Sequence, residues 1–316
     1  MQNTNSELIR KDKYKAIWMS HSSINDYEKC PRLYYLHNIY KNKNNRKINI
    51  VSPYMSLGIA VHNVIEDLKN YKSEERVKID LLNNFEKEWE KYHGKIGGFK
   101  NKEEEDNFKN RGIDIIKKVL IDYKMLINKT IPLSSYYTGD MLPNYYISEE
   151  ENIILCGNLD WIEYVPAQKE GSRGVLSVID FKTGKNEEKI NSIQLPIYKL
   201  ILENLQSKWK VNNGKYWYFE SGIVTERVLD QRLLEEVKSK IIKLGIEIRD
   251  KKYTWANNAR FGKAGWVEKE NMEENFKCLS ASDLCDCKKY EKIITGDPLA
   301  EYVGVDMYGK DAYFIQ

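Results

Sequence analysis

Apolar residues recur at helical spacing through much of the first half of the chain. A first helix is predicted with Ser23 as its N-cap, and it carries Cys30 near its end. Residues 56–128 then contain two longer apolar stripes that indicate further helices. The stripes consist of Leu81, Leu82, Phe85 and Trp89, and of Ile113, Ile116, Leu120, Tyr123 and Ile127. Each stripe is predicted to be a face on which a helix packs.

The period changes to that of strands near Tyr136, and strands are predicted to predominate as far as Thr183. The predicted elements after that point are a helix at about 187–205, strands at 215–220 and 223–229, and a helix at about 231–249. This order predicts an α/β fold in which a mixed sheet is flanked by helices. Residues 56–128 would form a helical insertion beside the sheet and could roof a functional site there, with His62 at its root.

Two acidic residues follow apolar runs in the strand-rich part. Asp160 ends the segment Gly-Asn-Leu-Asp, and Asp180 lies in Val-Ile-Asp-Phe-Lys-Thr-Gly. Side chains two apart in a strand share a face, so Asp180 and Lys182 should point the same way while Phe181 faces the core. A polar loop at 166–174 lets the chain return antiparallel and set Asp160 beside Asp180. Two hard oxygen ligands suit Mg²⁺ or Mn²⁺, although an Asp and a Lys at a strand end often form only a solvated ion pair.

Two predicted helices carry polar pairs at a spacing of four residues, which places each pair on one face. Gln194 and Tyr198 form one pair, and His62 and Glu66 form the other. Gln194 and Tyr198 could hold a phosphate or a base, or simply be surface residues. His62 could be a third metal ligand, with Glu66 as a further ligand, a hydrogen-bonding partner of His62 or an ordinary surface carboxylate; we favour the partner.

Taken together and in this order, these segments resemble the PD-(D/E)XK nuclease superfamily, and specifically its RecB-like branch of CRISPR-associated and helicase-linked exonucleases. The resemblance spans about 250 residues. It rests on five motifs: residues 22–35 with Cys-Pro-Arg, Gly58-x-x-x-His62, Gly157-x-x-Asp160, Asp180-Phe-Lys-Thr-Gly184 and Gln194-Leu-Pro-Ile-Tyr198.

The resemblance implies a role for each matching residue. His62, Asp160, Asp180 and the Phe181 carbonyl would bind the metal, and Lys182 would orient or activate the attacking water. Gln194 and Tyr198 would complete the catalytic site. The implied activity is that of a metal-dependent deoxyribonuclease acting on DNA ends or single strands, with DNA repair or CRISPR-associated processing as its setting. The alternative is a nucleic-acid clamp or complex subunit that keeps the fold without cutting.

The chain has five cysteines, and an odd number argues against a disulfide framework. Cys156 lies in an apolar strand and is predicted to be buried. Four others, Cys30, Cys278, Cys285 and Cys287, could meet in space. By resemblance they would hold a [4Fe-4S] cluster, with a zinc ion as the chemical alternative. The gap of one residue between Cys285 and Cys287 is tighter than that family pattern.

The charge balance and the motifs of the chain limit its possible binding partners and its location. The 50 basic and 47 acidic residues give a net charge of only +3, so any nucleic-acid path must be local. Candidate contributors are Lys41, Lys43, Arg46 and Lys47, the run 208–215 and the run 249–252. No P-loop motif is present, so ATP-driven unwinding would need a helicase partner. Residues 1–15 contain no apolar signal stretch, and no membrane span is apparent, which together predict a cytoplasmic location without a membrane partner.

Four segments are predicted to pack as one unit. They are an N-terminal cysteine-bearing helix and connector (1–55), a helical insertion that carries His62 (56–135), a nuclease core (136–255) and a C-terminal cysteine segment (256–316).

Overall fold

The structure is a computed structural model that describes residues 11–133, 142–167, 174–184, 188, 191–258, 263–279 and 284–316. The fold is of the mixed α/β class that the sequence predicts. Its helices are α1 (His21–Lys29), α2 (Pro31–Tyr34), α3 (Pro53–Glu66), α4 (Leu81–Trp89), α5 (Lys102–Ile121), α6 (Gln194–Leu205), α7 (Gln231–Lys252) and α8 (Cys287–Thr295).

Twelve strands are found in the described part of the chain. They are β1 (Ile17–Met19), β2 (Ile48–Ile50), β3 (Asn144–Ser148), β4 (Ile153–Cys156), β5 (Trp161–Val165), β6 (Val175–Lys182), β7 (Val211–Tyr218), β8 (Ile223–Val228), β9 (Tyr253–Asn258), β10 (Lys263–Glu268), β11 (Ala300–Val305) and β12 (Asp311–Ile315). They form a mixed sheet β5-β6-β7-β8, two three-stranded sheets, β1-β4-β3 and β11-β12-β2, and the hairpin β9-β10.

The mixed sheet β5-β6-β7-β8 is the frame of the molecule. Its inner strands β6 and β7 are parallel, while β5 and β8 are antiparallel to their neighbours. Parallel neighbours need a crossover, and α6 supplies it. The helix packs closely on β7 at Gly214, where a β-carbon would come within 2.9 Å of the Leu195 side chain. Glycine is therefore required at this point of contact.

The two faces of β6 enter two different cores, as the alternation of a pleated strand requires. Val178 belongs to the larger core, which includes residues of α6 and α7. Ile179 and Phe181 face the helices α3, α4 and α5. Phe181 is 2% exposed and contacts Trp161, Trp217 and Phe219, so its burial contributes about 2 kcal/mol to stability.

The helical insertion therefore covers one face of the sheet. Leu81, Phe85 and Trp89 of α4 are buried in its core. The stripe predicted on α5 is wrong in its second half: the helix ends at Ile121, and Leu120, Tyr123 and Ile127 are 38–43% exposed. The buried face of α5 runs instead along Gly112, Ile115, Ile116 and Val119.

Other element boundaries also differ from the prediction, among them that of β7, which spans Val211–Tyr218 rather than 215–220. The N-cap of α1 is Ser20, and Ser23 is the third helical residue, whose side chain completes a capping box with Ser20. Helix α6 begins at Gln194 rather than near 187, and α7 continues to Lys252. Tyr136, where the sequence predicts that strands begin, lies outside the described residues, and the first strand after it is β3.

The N-terminal part of the chain joins two of the smaller sheets. Strand β1 pairs in parallel with β4, and β2 pairs in parallel with β12 near the C-terminal residue. Within the described ranges, no helix combines the length and apolarity that crossing a membrane requires. The division into four segments stays a prediction.

Candidate metal and catalytic cleft

A cleft opens where β5 begins and β6 ends, between the start of α1, helix α3 and the start of α6. The residues that line it include Ser20, His21, Ser22, His62, Gly157, Asn158, Asp160, Asp180, Phe181, Lys182, Thr183, Gly184, Gln194 and Tyr198. The structure thus brings His62, Asp160, Asp180, Lys182, Gln194 and Tyr198 to one place. Their chemical roles stay predictions.

The register of one antiparallel pair places the two aspartates together. Trp161 of β5 pairs with Ile179 of β6, so Asp160, one residue before Trp161, lies beside Asp180. The backbone N–H of Phe181 donates a 2.9 Å hydrogen bond to Asp160 Oδ2. Gly157 permits the approach to α6, because a β-carbon there would be 3.2 Å from Ile201 Cδ1. Asp160 is thus fixed by the sheet and by the turn before it.

Asp180 is the centre of a buried hydrogen-bond network. Its Oδ1 accepts hydrogen bonds from Gln194 Nε2 at 2.5 Å and from the Tyr198 hydroxyl at 2.9 Å. Lys182 Nζ lies 2.8 Å from Asp180 Oδ2 and donates a 2.8 Å hydrogen bond to Gln194 Oε1. The Lys182 ammonium group lies on one side of this buried oxygen, which accepts no further hydrogen bond from a described residue. One lone-pair direction of Asp180 thus remains available.

His62, Glu66 and Asp160 form a second group beside the first. His62 Nδ1 lies 3.5 Å from Glu66 Oε1 and 3.5 Å from Asp160 Oδ2. Glu66 also forms a 2.9 Å ion pair with Lys69. One atom from each of the three residues lies within 4.8 Å of the other two, a spacing that allows them to share one cation.

The pKa values in the cleft show excess negative charge. Burial, with the Asp180 carboxylate as the next cause, raises the pKa of Asp160 to about 8. Burial alone would lower the pKa of His62, but the carboxylates of Glu66 and Asp160 outweigh burial and raise it to about 9. The pKa of Lys182 is likewise raised, because Asp180 and Glu188 outweigh the desolvation of its ammonium group.

The residues present fit a hard divalent cation. Carboxylate oxygens and an imidazole converge on one volume, and burial together with the neighbouring Asp180 carboxylate raises the pKa of Asp160, so a cation there would stabilise its charged form. Mg²⁺ and Mn²⁺ prefer oxygen-rich sites of this kind. By the resemblance, His62, Asp160, Asp180 and the backbone carbonyl of Phe181 would hold the ion, and Glu66 would orient His62.

Three cleft residues are absent from the sequence prediction. Glu188 forms a 3.1 Å ion pair with Lys182, and its N–H donates a hydrogen bond to Tyr218. His21 enters the cleft from the start of α1, and burial and then Lys182 lower its pKa. Asn158, which is exposed, also lines the cleft. Because β1 has only three residues, no periodic signal could show that it aligns with β4 and delivers His21 to this edge.

The four-cysteine site lies away from the cleft, where α2 meets α8. The sulfur atoms of Cys30, Cys278, Cys285 and Cys287 all lie within 4.8 Å of one another. Cys287 Sγ is 3.2 Å from Cys285 Sγ and 3.5 Å from Cys278 Sγ. Burial, and then the neighbouring thiols, raises the pKa of Cys287. Cys156 is buried in β4, apart from this group.

The chain belongs to the PD-(D/E)XK nuclease superfamily, because the family model matches residues 18–262. This span contains the whole cleft and Cys30 but not the three late cysteines. Members of the superfamily are generally nucleases, and they typically use divalent metal ions. No curated protein matches the chain.

Proposed function

We propose that the protein is a metal-dependent deoxyribonuclease that hydrolyses phosphodiester bonds at DNA ends or in single strands. One observation carries the proposal. His62, Asp160, Asp180 and Lys182 lie in a single open cleft, although His62 and Lys182 are 120 positions apart in the sequence. The choice of DNA ends and single strands follows the resemblance to RecB-like nucleases.

Each residue contributes a distinct physical effect. The bound cation would acidify a water molecule and neutralise charge on the phosphate. Gln194 and Tyr198 hold the Asp180 carboxylate in one orientation, in which Oδ2 faces the Lys182 ammonium group. Asp180, Glu188 and Gln194 fix the Lys182 ammonium group, which keeps a positive charge close to the reacting phosphate.

Cleavage of end-labelled DNA tests this proposal. Wild type is compared with Asp180→Asn and Lys182→Gln on single-stranded and double-stranded DNA with Mn²⁺ or Mg²⁺. The exposed residues Asp114 and Lys238 provide the matched controls Asp114→Asn and Lys238→Gln. We expect the two cleft variants to lose activity about 10³-fold and the controls to match wild type.

The outcomes separate the alternatives. Equal degradation by all five proteins would identify a contaminating nuclease. Binding of DNA and metal by wild type without any cleavage would favour the non-catalytic clamp. Circular substrates distinguish endonuclease from exonuclease activity, and a labelled RNA of the same sequence tests whether DNA is preferred.

We also propose that the four cysteines hold a metal centre that ties the N-terminal segment to the C-terminal one. The resemblance assigns a [4Fe-4S] cluster. The sulfur spacing favours zinc as the alternative, since Zn–S bonds of about 2.3 Å place the sulfurs of a tetrahedron about 3.8 Å apart. Anaerobically purified protein should be brown, and Cys30→Ala should bleach it. Colourless protein with one zinc ion per chain would overturn the iron assignment.

A further inference from the structure

The structure sorts the basic residues that the sequence offers for nucleic-acid binding. Arg46 lies 3.3 Å from the buried carboxylate of Asp311, and Lys215 forms a 3.0 Å ion pair with Glu163. Arg249 is buried and pairs with Glu151 and Asp250. These three cations are already neutralised by the protein, so they are poor candidates for phosphate contacts.

Backbone pairing brings three other lysines together. Strand β2 runs parallel to β12 with Ile48 opposite Asp311, which places Lys47 beside Lys310. The N–H of Asp311 donates a 2.9 Å hydrogen bond to the Lys47 carbonyl. The turn before β2 is closed by a 2.8 Å hydrogen bond from Asn42 N–H to the Arg46 carbonyl, so Lys41 returns to the side of Lys47.

A fourth lysine, Lys252 at the end of α7, completes the group. Lys47 is half-buried, and its pKa is lowered by burial and then by the ammonium groups of Lys310, Lys41 and Lys252. Lys252 Nζ also lies 4.8 Å from the centre of the Tyr253 ring. In the described part of the chain, none of the four ammonium groups forms a salt bridge. We call Lys41, Lys47, Lys252 and Lys310 the lysine cluster.

Such a cluster costs folding free energy. Four like charges repel one another, and the burial of Lys47 removes part of the water that would screen them. Lysines that serve only solubility stay apart and fully solvated. A polyanion bound here would relieve the repulsion, and its phosphates would release counterions on binding.

We propose that the lysine cluster, none of whose residues lines the cleft, is a second contact site for the phosphate backbone of nucleic acid. This inference rests on the proposed function for the identity of the ligand. Because the net charge of the chain is weak, the attraction of a nucleic acid must come from local groups such as the lysine cluster. The contacts would be independent of base sequence.

The test measures binding in EDTA, so that it does not depend on cleavage. The full chain is titrated against a fluorescein-labelled single-stranded 20-mer at several salt concentrations. The triple variant Lys41→Gln, Lys47→Gln, Lys310→Gln is compared with Lys72→Gln, Lys238→Gln, Lys243→Gln. The control replaces three exposed lysines, none of which forms an ion pair with a described residue, and it removes the same charge.

We expect the cluster variant to bind at least about tenfold more weakly at 0.1 M salt. Its plot of log K against log [salt] should be shallower by about 2, since each phosphate that a lysine no longer neutralises lowers the slope by about 0.7. The control should retain the wild-type slope. Equal slopes for the two variants would overturn the lysine cluster as a phosphate site. Displacement of the DNA by polyglutamate of equal charge at the same concentration would instead assign the cluster to an acidic protein partner.

The two proposals fail in different ways. If wild type cuts no DNA but the slopes differ as expected, the nuclease activity is wrong and the contact site stands. If wild type cuts DNA but the variants bind alike, the lysine cluster is wrong and the nuclease stands. Circular dichroism of both variants shows whether either has lost its fold.

Discussion

The cleft and the four-cysteine site are built by different kinds of contact. In the cleft, Asp160, Asp180 and Lys182 come from one antiparallel strand pair and the residue before it, so local register sets their geometry. The cysteine site joins Cys30 to residues nearly 250 positions later, and only tertiary packing brings them together. The cleft offers hard oxygen and nitrogen atoms, whereas the cysteine site offers soft sulfur.

Both sites combine buried and partly exposed side chains. In the cleft, Asp180 is 2% exposed, while the side chains of His62 and Lys182 are 25% and 19% exposed. In the cysteine site, Cys30 and Cys287 are buried, while Cys278 and Cys285 are partly exposed. Because the cleft gathers the candidate catalytic residues whereas the four-cysteine site joins distant segments, we expect substitutions in the cleft to lower catalytic activity and substitutions in the four-cysteine site to lower stability.

The largest expected effect concerns Cys30→Ser. Closing a loop of about 250 residues contributes about 5 kcal/mol by the chain-entropy estimate, so this variant should lose most of that amount in free energy of unfolding. Urea denaturation of the metal-loaded proteins measures it. Cys156→Ala is the control, since this thiol is buried outside the cluster; a loss as large as that of Cys30→Ser would contradict the assignment.

Asp160→Asn should have the opposite effect, a loss of activity without a loss of stability. We expect cleavage to fall about 10³-fold, equivalent to about 4 kcal/mol, because a candidate metal ligand loses its charge. The metal-free variant should be at least as stable as wild type, because asparagine stays neutral at a position where burial and Asp180 oppose a negative charge. Full activity together with a large loss of stability would reverse the comparison.

The pH dependence of stability sharpens the comparison further. In the folded, metal-free protein Asp160 has a pKa of about 8 against 3.8 for its ordinary value, and His62 has a pKa of about 9 against 6.5. Between pH 6.5 and 8 the folded state therefore binds more protons than the unfolded state, and stability should fall as pH rises.

We expect the decrease in unfolding free energy to be on the order of 2 kcal/mol over that range, since each proton contributes about 1.4 kcal/mol per pH unit. Mn²⁺ should reverse the trend, because it favours the deprotonated ligands. Thermal melts with and without Mn²⁺ at each pH measure both effects. In the Asp160→Asn variant, the unfolding free energy should depend less on pH. If its pH dependence equals that of wild type, groups other than Asp160 titrate in this range.

The smallest expected effect is that of Tyr198→Phe. It removes one of the two hydrogen bonds to Asp180 Oδ1 while Gln194 keeps the other, so kcat should fall about tenfold with little change in stability. Initial rates at saturating Mn²⁺ test this. Tyr54→Phe is the matched control, because Tyr54 is exposed. Equal rates for the two variants would show that the hydrogen bond from Tyr198 to Asp180 does not contribute to catalysis.

The residues that could be predicted are those whose partners follow from local periodicity. Asp180, Phe181 and Lys182 alternate in one strand, and Gln194 and Tyr198 share one face of α6. Element types were therefore predictable along most of the mixed sheet. The α5 stripe was misplaced because several apolar residues near the helix end remain exposed, so hydrophobicity alone did not identify the packed face.

The unpredicted features depend on contacts between distant segments. Glu188 reaches Lys182 from a loop, and His21 reaches the cleft from a three-residue strand. The lysine cluster shows the same limit: the sequence suggests the runs 41–47 and 249–252 separately, but only the pairing of β2 with β12 adds Lys310. Ion pairs then exclude Arg46 and Arg249, which no pattern of charges could reveal.

The parallel pairing of β2 with β12 constrains biosynthesis. Residues 48–50 emerge from the ribosome long before residues 311–315, their only strand partner among the described residues. Until then the backbone edge of β2 is unpaired, and the three cysteines that lie beside Cys30 in the folded protein have not been synthesised. Contacts of such long range slow folding and lengthen the period in which a nascent chain can aggregate. Expression at low temperature, where translation and aggregation are slower, should therefore raise the yield of folded protein.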